Sequence, residues 1–426
     1  MKHTLLLLLI IASFTADARK ITLISGNGYA VSVDATHPSP FLPGDTVLIS
    51  SSVKWTYFSL TNIHGTALQP IVFMNYGGQV QLSNGFAIQN CTYIKVLGIG
   101  STDKYGFYVS NPLFNGVSVD IFGRSSNVEV SNIDIYKNLY GFWIKEEQQC
   151  TDSLNALTPA NPLGWTIDNI SVHDCRIVKM NQEGMYMGST DPNGIRGVSC
   201  NGKTIYPTAM RLSNIHVYNM IIDSCNRSGM QLSGANAGNN RLNNNHITHV
   251  GLELNTQQGP GIWLGGFTTA RVDHNTVSST YLGGIFCLGA GWQYIDSNTI
   301  DSSGILGTVK ANGMAGIMVD TRPTTNPVDS AFVSIIGNSI GANTDVPIHI
   351  MNDYCCYGKG NVICGNTPKV DPPNITYNQN NVPFTYRSIC LTIPPPPVSV
   401  PVWDTIARGT VYEVDSNKII KYYIVK

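Results

Sequence analysis

A few acidic and basic side chains stand out in this chain, because only 12% of its 426 residues are Asp, Glu, Lys or Arg. Glu183 directly precedes Gly184 at a position that small and apolar residues occupy in the related segments. A carboxyl group in such surroundings has a raised pKa and can act as an acid or a base. The other candidate catalytic residues, which lie in or beside long loops, are Lys145, Asp191, Asp320 and Arg322.

These residue types support two different reactions on a sugar polymer. Hydrolysis of a glycosidic bond needs two carboxyl groups, which Glu183 and Asp191 or Glu146 can supply. β-Elimination from a uronic acid polymer needs a base and a cation that neutralises the substrate carboxylate. Lys145, Arg196 and Arg322 are candidates for these roles. The residues alone leave both reactions open.

Aromatic and polar side chains recur at the third position of a repeated phrase, Gly-apolar-any-apolar. In a strand the apolar residues of this phrase point inward and the third residue points outward. The faces of aromatic rings offer apolar area on which sugar rings stack. We therefore expect this outward column to bind substrate, and the alternative is that its rings pack beneath loops. The column contains Trp143, Tyr186, Gln231, Trp263 and, in a variant phrase, His349.

The spacing of the repeated phrase predicts the fold. Its glycines follow one another at intervals of 43, 45, 32, 23 and 32 residues, and an Asn or Asp precedes each strand pair. Short strands at such intervals are typical of a parallel β-helix. We expect Asn219, Asn245, Asn275 and Asn298 to form one turn column. The predicted inward stack contains Phe142, Met185, Met230, Ile262, Ile285, Ile317 and Ile348.

The segment from about residue 44 to residue 365 resembles the right-handed parallel β-helix, pectate-lyase-like superfamily of exported bacterial proteins. The resemblance begins with Pro43-Gly44-Asp45-Thr46-Val47-Leu48-Ile49 and continues through Asn62-Ile63-His64-Gly65-Thr66. It implies an all-β, single-stranded right-handed solenoid. Outside the resembling segment, residues 19 to about 45 are expected to form an N-terminal cap, because the ends of a solenoid need a cover, and the last 25 or so residues a short C-terminal β tail. Members include polysaccharide lyases, glycoside hydrolases, epimerases and non-catalytic surface proteins, so function must be argued from the site.

Motifs of two enzyme groups in that superfamily are not evident in this sequence. It shows neither the Asp-rich calcium cluster of many pectate lyases nor the paired-Asp and Gly-His-Gly phrases of polygalacturonase-like hydrolases. Calcium thus stays open as a cofactor without identified ligands. No metal site is predicted, because no Cys-x-x-Cys pair is repeated at zinc-finger spacing.

The chain divides into three predicted parts. Residues 1–18 have a basic start, the apolar run Leu5–Ile11 and a small-residue cleavage site, and thus predict a signal peptide. Residues 19–393 form the predicted β-helix with its N-terminal cap, and residues 394–426 form a Pro-rich spacer and short β tail. We expect a monomer that is secreted, periplasmic or on the cell surface. No later apolar run has the length of a membrane helix, and a net charge of −1 offers no basic field for nucleic acid.

The ten cysteines fall into two groups. Cys91, Cys175, Cys225 and Cys287 lie in apolar strand patterns and are expected to be buried, unpaired side chains. Cys150 and Cys200 lie in long loops of neighbouring coils, and we predict a disulfide between them.

Long predicted loops flank the outward column on both sides. Loops on a rigid scaffold often carry function, and this arrangement predicts a groove that suits a polymer. The sequence therefore predicts a secreted polysaccharide-active protein that cleaves a glycosidic bond as a lyase or a glycoside hydrolase. The alternative is a non-catalytic glycan-binding or surface structural β-helix protein.

Overall fold

The structure is a computed structural model, and it describes most of the chain between residues 18 and 352. The described residues are 18–24, 27–147, 166–190, 198–200, 202–205, 210–266, 268–289, 291–320, 331–344, 346–352, 362–364, 375–377, 410–414 and 420–424. The predicted signal peptide, apart from Ala18, and most of the predicted spacer lie outside them.

Three faces of parallel strands, named A, B and C, surround one core. Face A contains β1 (Lys20–Leu23), β3 (Thr46–Ser50), β5 (Ile71–Tyr76), β7 (Thr92–Leu97), β10 (Ser126–Ser131), β13 (Thr166–His173), β18 (Arg211–Tyr218), β21 (Arg241–Asn243), β24 (Ala270–Asp273), β27 (Gly291–Asp296), β32 (Ala331–Ile336) and β35 (Val362–Cys364). Face B contains β8 (Phe107–Val109), β11 (Ile133–Asn138), β14 (Arg176–Met180), β19 (Ile221–Cys225), β22 (His246–Val250), β25 (Thr276–Thr280), β28 (Thr299–Ser303) and β33 (Ser339–Ile340).

Face C carries the repeated phrase. It contains β2 (Asn27–Ser32), β4 (Trp55–Thr61), β6 (Val80–Gln89), β9 (Val117–Phe122), β12 (Tyr140–Ile144), β15 (Met185–Met187), β20 (Met230–Ser233), β23 (Ile262–Gly265), β26 (Ile285–Leu288), β31 (Ile317–Asp320), β34 (Ile348–Asn352) and β36 (Ile375–Tyr377). Three antiparallel hairpins complete the described strands: β16 (Val198–Cys200) with β17 (Lys203–Ile205), β29 (Ile305–Leu306) with β30 (Val309–Lys310), and β37 (Thr410–Val414) with β38 (Ile420–Ile424).

The chain passes through faces A, B and C in turn, and each strand pairs in parallel with the strand of the next coil. For example, β10 pairs with β13, β11 with β14, and β12 with β15. This connectivity is that of a parallel β-helix, so the predicted all-β solenoid is confirmed. Residues 19–45, predicted to form a cap, contribute β1 and β2, which add parallel first rungs to faces A and C. Among the described residues, no helix has the length and apolarity that a membrane span needs.

The inward residues of face C form the predicted stack. Strand pairing places Phe142 beside Met185 and Met185 beside Met230, and the same register continues to Ile348. All seven members of this stack are fully buried. Burial of such a side chain contributes about 1.5–3 kcal/mol, so the stack is a main source of stability. The four cysteines expected in the core, Cys91, Cys175, Cys225 and Cys287, are buried and unpaired as predicted.

A ladder of buried asparagines occupies the turn between faces A and B. The side-chain amide of Asn245 donates to Asn275, Asn275 donates to Asn298, and Asn298 donates to Asn338, each over 2.9 Å. The prediction was wrong for Asn219, because Met220 occupies the ladder position in that coil and its backbone N–H donates to Asn245. Asn219 lies one residue earlier and is exposed, with a φ of 55° in the left-handed region that Asn tolerates.

Replacing Asn275 with leucine should destabilise the solenoid by about 1–3 kcal/mol. The change removes the side-chain oxygen of residue 275 that accepts a hydrogen bond from Asn245. It also removes the amide group that donates to the backbone oxygen of Leu242, and that oxygen then lies buried without this partner. Urea denaturation followed by circular dichroism measures the loss. Asn219→Gly is the control and should change stability by no more than about 0.5 kcal/mol, because the side chain is exposed. Equal losses in the two variants would contradict the role of the ladder.

Candidate functional site

The predicted outward column of face C has the expected register. Strand pairing places Trp143 beside Tyr186, Tyr186 beside Gln231, and Gln231 beside Trp263. It also places Met318 beside His349. The sequence phrase therefore identified a real column of side chains, although its members differ in exposure.

Three aromatic rings cluster at the first two rungs of this column. The ring centroids of Tyr140 and Trp143 are 4.7 Å apart and those of Trp143 and Tyr186 are 5.0 Å apart, both in T-shaped contact. Tyr140 and Tyr186 face each other at 6.4 Å. All three side chains are partly exposed. Partly exposed rings held in fixed contacts form a surface on which a sugar ring can stack.

Lys145 is a buried cation that packs against this aromatic cluster. Its Nζ lies 4.8 Å from the ring centroid of Trp143 and 4.3 Å from that of Tyr186. It also forms an ion pair of 2.9 Å with Oε1 of Glu147. The side chain is only 3% exposed, because its stem and charge both lie beneath other groups. Lys145 thus orients the two rings through cation–π contacts and is not a freely accessible base.

Glu183 is buried at the turn that leads into β15, as its neighbours on face C predicted. The residue is 2% exposed, and its Oε2 has no hydrogen-bond partner. Its Oε1 lies 4.0 Å from Nη1 of Arg227, which is itself hydrogen-bonded to Glu253 over 3.0 Å. Burial raises the pKa of the Glu183 carboxyl, and the charge of Arg227 only partly opposes that effect. Glu183 therefore has the surroundings of an acid or base.

Asp120 is a second carboxyl group at this position of the solenoid; its side chain is partly exposed, and sequence reasoning missed it. Strand pairing places it directly beside Trp143, one rung before the aromatic cluster. Its Oδ1 is buried and has no hydrogen-bond partner. Burial raises the pKa of the Asp120 carboxyl to about 7, and the negative charge of Glu146 adds to the rise. A carboxyl of this kind holds its proton near neutral pH.

The repeated phrase did not reveal Asp120 because one residue of it differs in this coil. Pairing places Val119 beside Phe142, so that Ser118 occupies the position of Gly141 and Asp120 that of Trp143. An alignment of the coils on the apolar–polar–apolar pattern of Val119-Asp120-Ile121, without the glycine, would have identified Asp120. Asp120, Tyr140, Trp143, Lys145, Glu183 and Tyr186 together form what we call the aromatic–carboxyl site.

The predicted open groove does not extend along the whole column. Gln231 is 2% exposed and Trp263 is 9% exposed, so neither is available to a glycan as predicted. Thr190, in the loop after β15, lies beside Gly265 and contributes to the cover over these rungs. For these two side chains the alternative of packing beneath loops is the correct one.

Two other predicted site residues lie far from Glu183. Asp320 is buried at the end of β31, and His349 is partly exposed on β34. Strand β31 is four rungs beyond β15, which corresponds to about 19 Å along the solenoid. The structure therefore does not bring Asp320 or His349 to the aromatic–carboxyl site.

Four predicted residues, Asp191, Arg196, Arg322 and Cys150, lie outside the described residues. The disulfide from Cys150 to Cys200 thus stays a prediction, as do the catalytic roles of Asp191, Arg196 and Arg322. No group of three or more His, Cys, Asp or Glu side chains that could hold a metal ion occurs within the described part of the chain.

Comparison with known proteins supports the fold and gives its hand. Residues 164–300 match the family model of a right-handed beta helix region. The solenoid is therefore a right-handed parallel β-helix, as the sequence predicted. Comparison with curated protein sequences gives no match.

Several solved structures show a distant likeness to this chain. A lacto-N-biosidase from Eubacterium ramulus is 13% identical over 87% of this chain and 68% of its own, with a TM-score of 0.46. An alginate lyase from a Paenibacillus species is 13% identical over 82% of this chain and 97% of its own, with a TM-score of 0.36. The A-module of a mannuronan C-5 epimerase from Azotobacter vinelandii is 13% identical over 86% and 93%, with a TM-score of 0.36. Likeness at this level does not identify a substrate.

Proposed function

We propose that this right-handed β-helix protein binds a polysaccharide at the aromatic–carboxyl site and hydrolyses a glycosidic bond there. One observation carries the proposal: two carboxyl groups, the partly exposed Asp120 and the buried Glu183, lie on either side of the Trp143 rung, and the pKa of each is raised. Hydrolysis of a glycosidic bond needs such a pair, with one carboxyl protonated and the other ionised.

The two carboxyl groups have different proposed roles because their neighbours differ. Asp120 lies near the negative charge of Glu146, which favours its protonated form, so it is the general acid. Glu183 lies near the positive charge of Arg227, which favours its ionised form, so it is the general base. Asp120 gives its proton to the glycosidic oxygen as the bond from that oxygen to the anomeric carbon breaks. A water adds to the anomeric carbon and its proton passes to Glu183.

Strand spacing favours inversion at the anomeric carbon. Asp120 lies beside Trp143 on the rung before it, whereas Glu183 aligns with Tyr140 on the rung after it. The two residues are therefore two rungs, about 9.6 Å, and three residues, about 10 Å, apart, which places their Cα atoms about 14 Å from each other. Carboxyl groups of inverting glycosidases are about 6.5–9.5 Å apart, and those of retaining ones are about 5–5.5 Å apart. A backbone separation of about 14 Å is too wide for the retaining range, so we propose inversion.

β-Elimination is less well supported by the same geometry. Its predicted base, Lys145, is buried between two aromatic rings and paired with Glu147. A base must reach the proton that it removes, and removal of Lys145 from these contacts would expose two rings. Glu183 is equally buried, but its Oε2 has no hydrogen-bond partner, so a water that reaches it breaks no ion pair and no ring contact.

Product analysis on a panel of neutral and acidic polysaccharides tests the proposed reaction. We expect new reducing ends without the ultraviolet absorbance of an unsaturated uronide. That absorbance would instead identify a lyase and overturn the proposed chemistry. Binding without any new end would support the alternative of a glycan-binding protein.

Replacing Trp143 with alanine should weaken polysaccharide binding about 10-fold, because an aromatic contact is worth about 0.5–1.5 kcal/mol beyond its area. Affinity electrophoresis measures the change, and a Glu183→Gln background prevents loss of the polymer during the run. Trp292→Ala is the matched control, since Trp292 is 44% exposed on face A. Unchanged affinity of the Trp143 variant would show that the rings serve only packing.

A further inference from the structure

A cavity of about 270 Å³ lies on face A, away from the strands that carry the aromatic–carboxyl site. It forms at the point along face A where the strands become shorter. β13 and β18 have eight residues each, whereas the next strand, β21, has three. Residues 234–240 connect β20 on face C to β21 and form only one bridge to β18, between Ala237 and Ser213, and the space beside them stays open. The cavity is lined by Asn169, Asn214, His216, Asn239 and Arg241.

The side chains around the cavity retain unused hydrogen-bonding groups. The Asn169 amide donates to Asn127 over 2.7 Å, which leaves its own Oδ1 as an open acceptor. His216 uses Nε2 toward Asn243 at 2.8 Å, which leaves Nδ1 open. Within the described part of the chain, the side-chain amide of Asn239 makes no hydrogen bond. The cavity thus presents both donors and acceptors.

The cavity is polar without carrying a net charge. Arg241 donates from Nε and Nη2 to the two carboxylate oxygens of Asp273, over 2.8 and 2.6 Å. Asp273 is fully buried, so it balances the guanidinium charge while Nη1 stays available. Among the described residues, no carboxylate lines the cavity. These features match a neutral ligand with many hydroxyl groups and do not match a strongly charged one.

Part of the lining, namely His216, Asn214 and Arg241, is also held in place before any ligand binds. The ring of His216 contacts Tyr218 with a centroid distance of 4.4 Å, and Tyr218 stacks on His173 at 4.6 Å with an angle of 8° between the rings. Backbone N–H of Asn239 donates to Oδ1 of Asn214 over 2.9 Å. Groups that are fixed in advance lose little conformational entropy on binding.

We propose that this cavity is a second saccharide-binding site, which takes one neutral sugar unit through the amides of Asn169 and Asn239, the imidazole of His216 and Nη1 of Arg241. A volume of about 270 Å³ suits a monosaccharide rather than a larger ligand. The site lies on face A and the reaction site lies on face C, so a sugar can be held here whether or not the chain cleaves a glycan. The inference therefore does not depend on the proposed reaction.

Saturation-transfer NMR with D-glucose, D-galactose and D-mannose tests this site. We expect at least one hexose to bind with a millimolar dissociation constant. The double variant Asn169→Gly/Asn239→Ala should weaken that binding at least about 10-fold, because two hydrogen bonds are lost. Glycine suits position 169, where φ is 53°. Asn132→Gly, at an equivalent left-handed position outside the cavity, should bind as the wild type does.

Two results would overturn the second site. One is the absence of binding by all three hexoses up to solubility-limited concentrations. The other is unchanged hexose binding by Asn239→Trp, whose large side chain should fill the cavity. Trp143→Ala separates the two sites, since it should weaken glycan binding on face C and leave hexose binding on face A intact. Loss of hexose binding in that variant would place the sugar on face C, which refutes this inference and leaves the proposed function standing.

Discussion

Replacing Glu183 with glutamine should lower turnover about 10²–10⁴-fold and leave polysaccharide affinity within about 2-fold of the wild type, because general acid–base catalysis contributes that much. Glutamine keeps the size of the buried side chain but cannot accept the proton of the attacking water. Initial rates of reducing-end release give turnover, and affinity electrophoresis gives binding. The effect should be on turnover because the carboxylate acts on the water and not on the sugar platform.

The matched control for this variant is Glu253→Gln. Glu253 hydrogen-bonds to the same Arg227 but does not lie on the aromatic–carboxyl site, so we expect less than about a 5-fold change in turnover. Full activity of Glu183→Gln on a polymer that the wild type degrades would eliminate Glu183 as a catalytic residue. Equal losses in both variants would show that Glu183 acts only through the position of Arg227.

Replacing Asp120 with asparagine should also lower turnover about 10²–10⁴-fold, and it should change how activity depends on pH. In the wild type, activity should fall as the pH rises through about 7, because the proposed general acid loses its proton there. The residual activity of Asp120→Asn should show no such fall. A pH profile of kcat/KM for the two proteins measures the difference.

Glu146→Gln gives the control for the pH effect. The negative charge of Glu146 contributes to the raised pKa of Asp120, so its removal should lower that pKa and move the fall in activity to lower pH. If the activity of Asp120→Asn still falls near pH 7, Asp120 is not the general acid. A leaving group that needs no protonation should restore much of the activity of Asp120→Asn.

The same carboxyl has an effect on stability with a definite sign. The folded-state pKa of Asp120 is about 7, above its ordinary value of 3.8. The folded state therefore binds an extra proton between about pH 4 and 7, and its stability falls as the pH rises through that range. Asp120→Asn should be more stable than the wild type at pH 8. That outcome would accompany a loss of turnover, as expected of a residue kept for function.

The fold and the register of face C could be predicted from the sequence because they depend on periodic, local patterns. Side chains alternate along a strand, so the phrase around Gly184 specifies which residues point inward, and identical phrases in neighbouring coils align. The amide ladder could be predicted for the same reason from Asn245 onward. It failed at Asn219, because this coil has Met220 at the ladder position and its Asn lies one residue earlier.

The tertiary structure decided which outward residues can meet a ligand. Trp143 and Trp263 occupy the same position of the phrase, yet Trp143 is partly exposed and Trp263 is covered. The cover comes from loops whose path no periodic pattern encodes. Lys145 is similar, because only its placement over two rings and beside Glu147 shows that it is not an accessible base.

The tertiary structure also decided that Asp120 and Glu183 belong to one site. Glu183 could be singled out because a charge in a column of small residues is visible in the sequence, whereas Asp120 lies in a coil where Ser118 replaces the glycine of the phrase. The sequence by itself thus determined the solenoid, its core and one carboxyl. The partial burial of Asp120 beside Trp143, and the raised pKa that follows, depend on desolvation by segments distant in the chain, so only the folded molecule decided them.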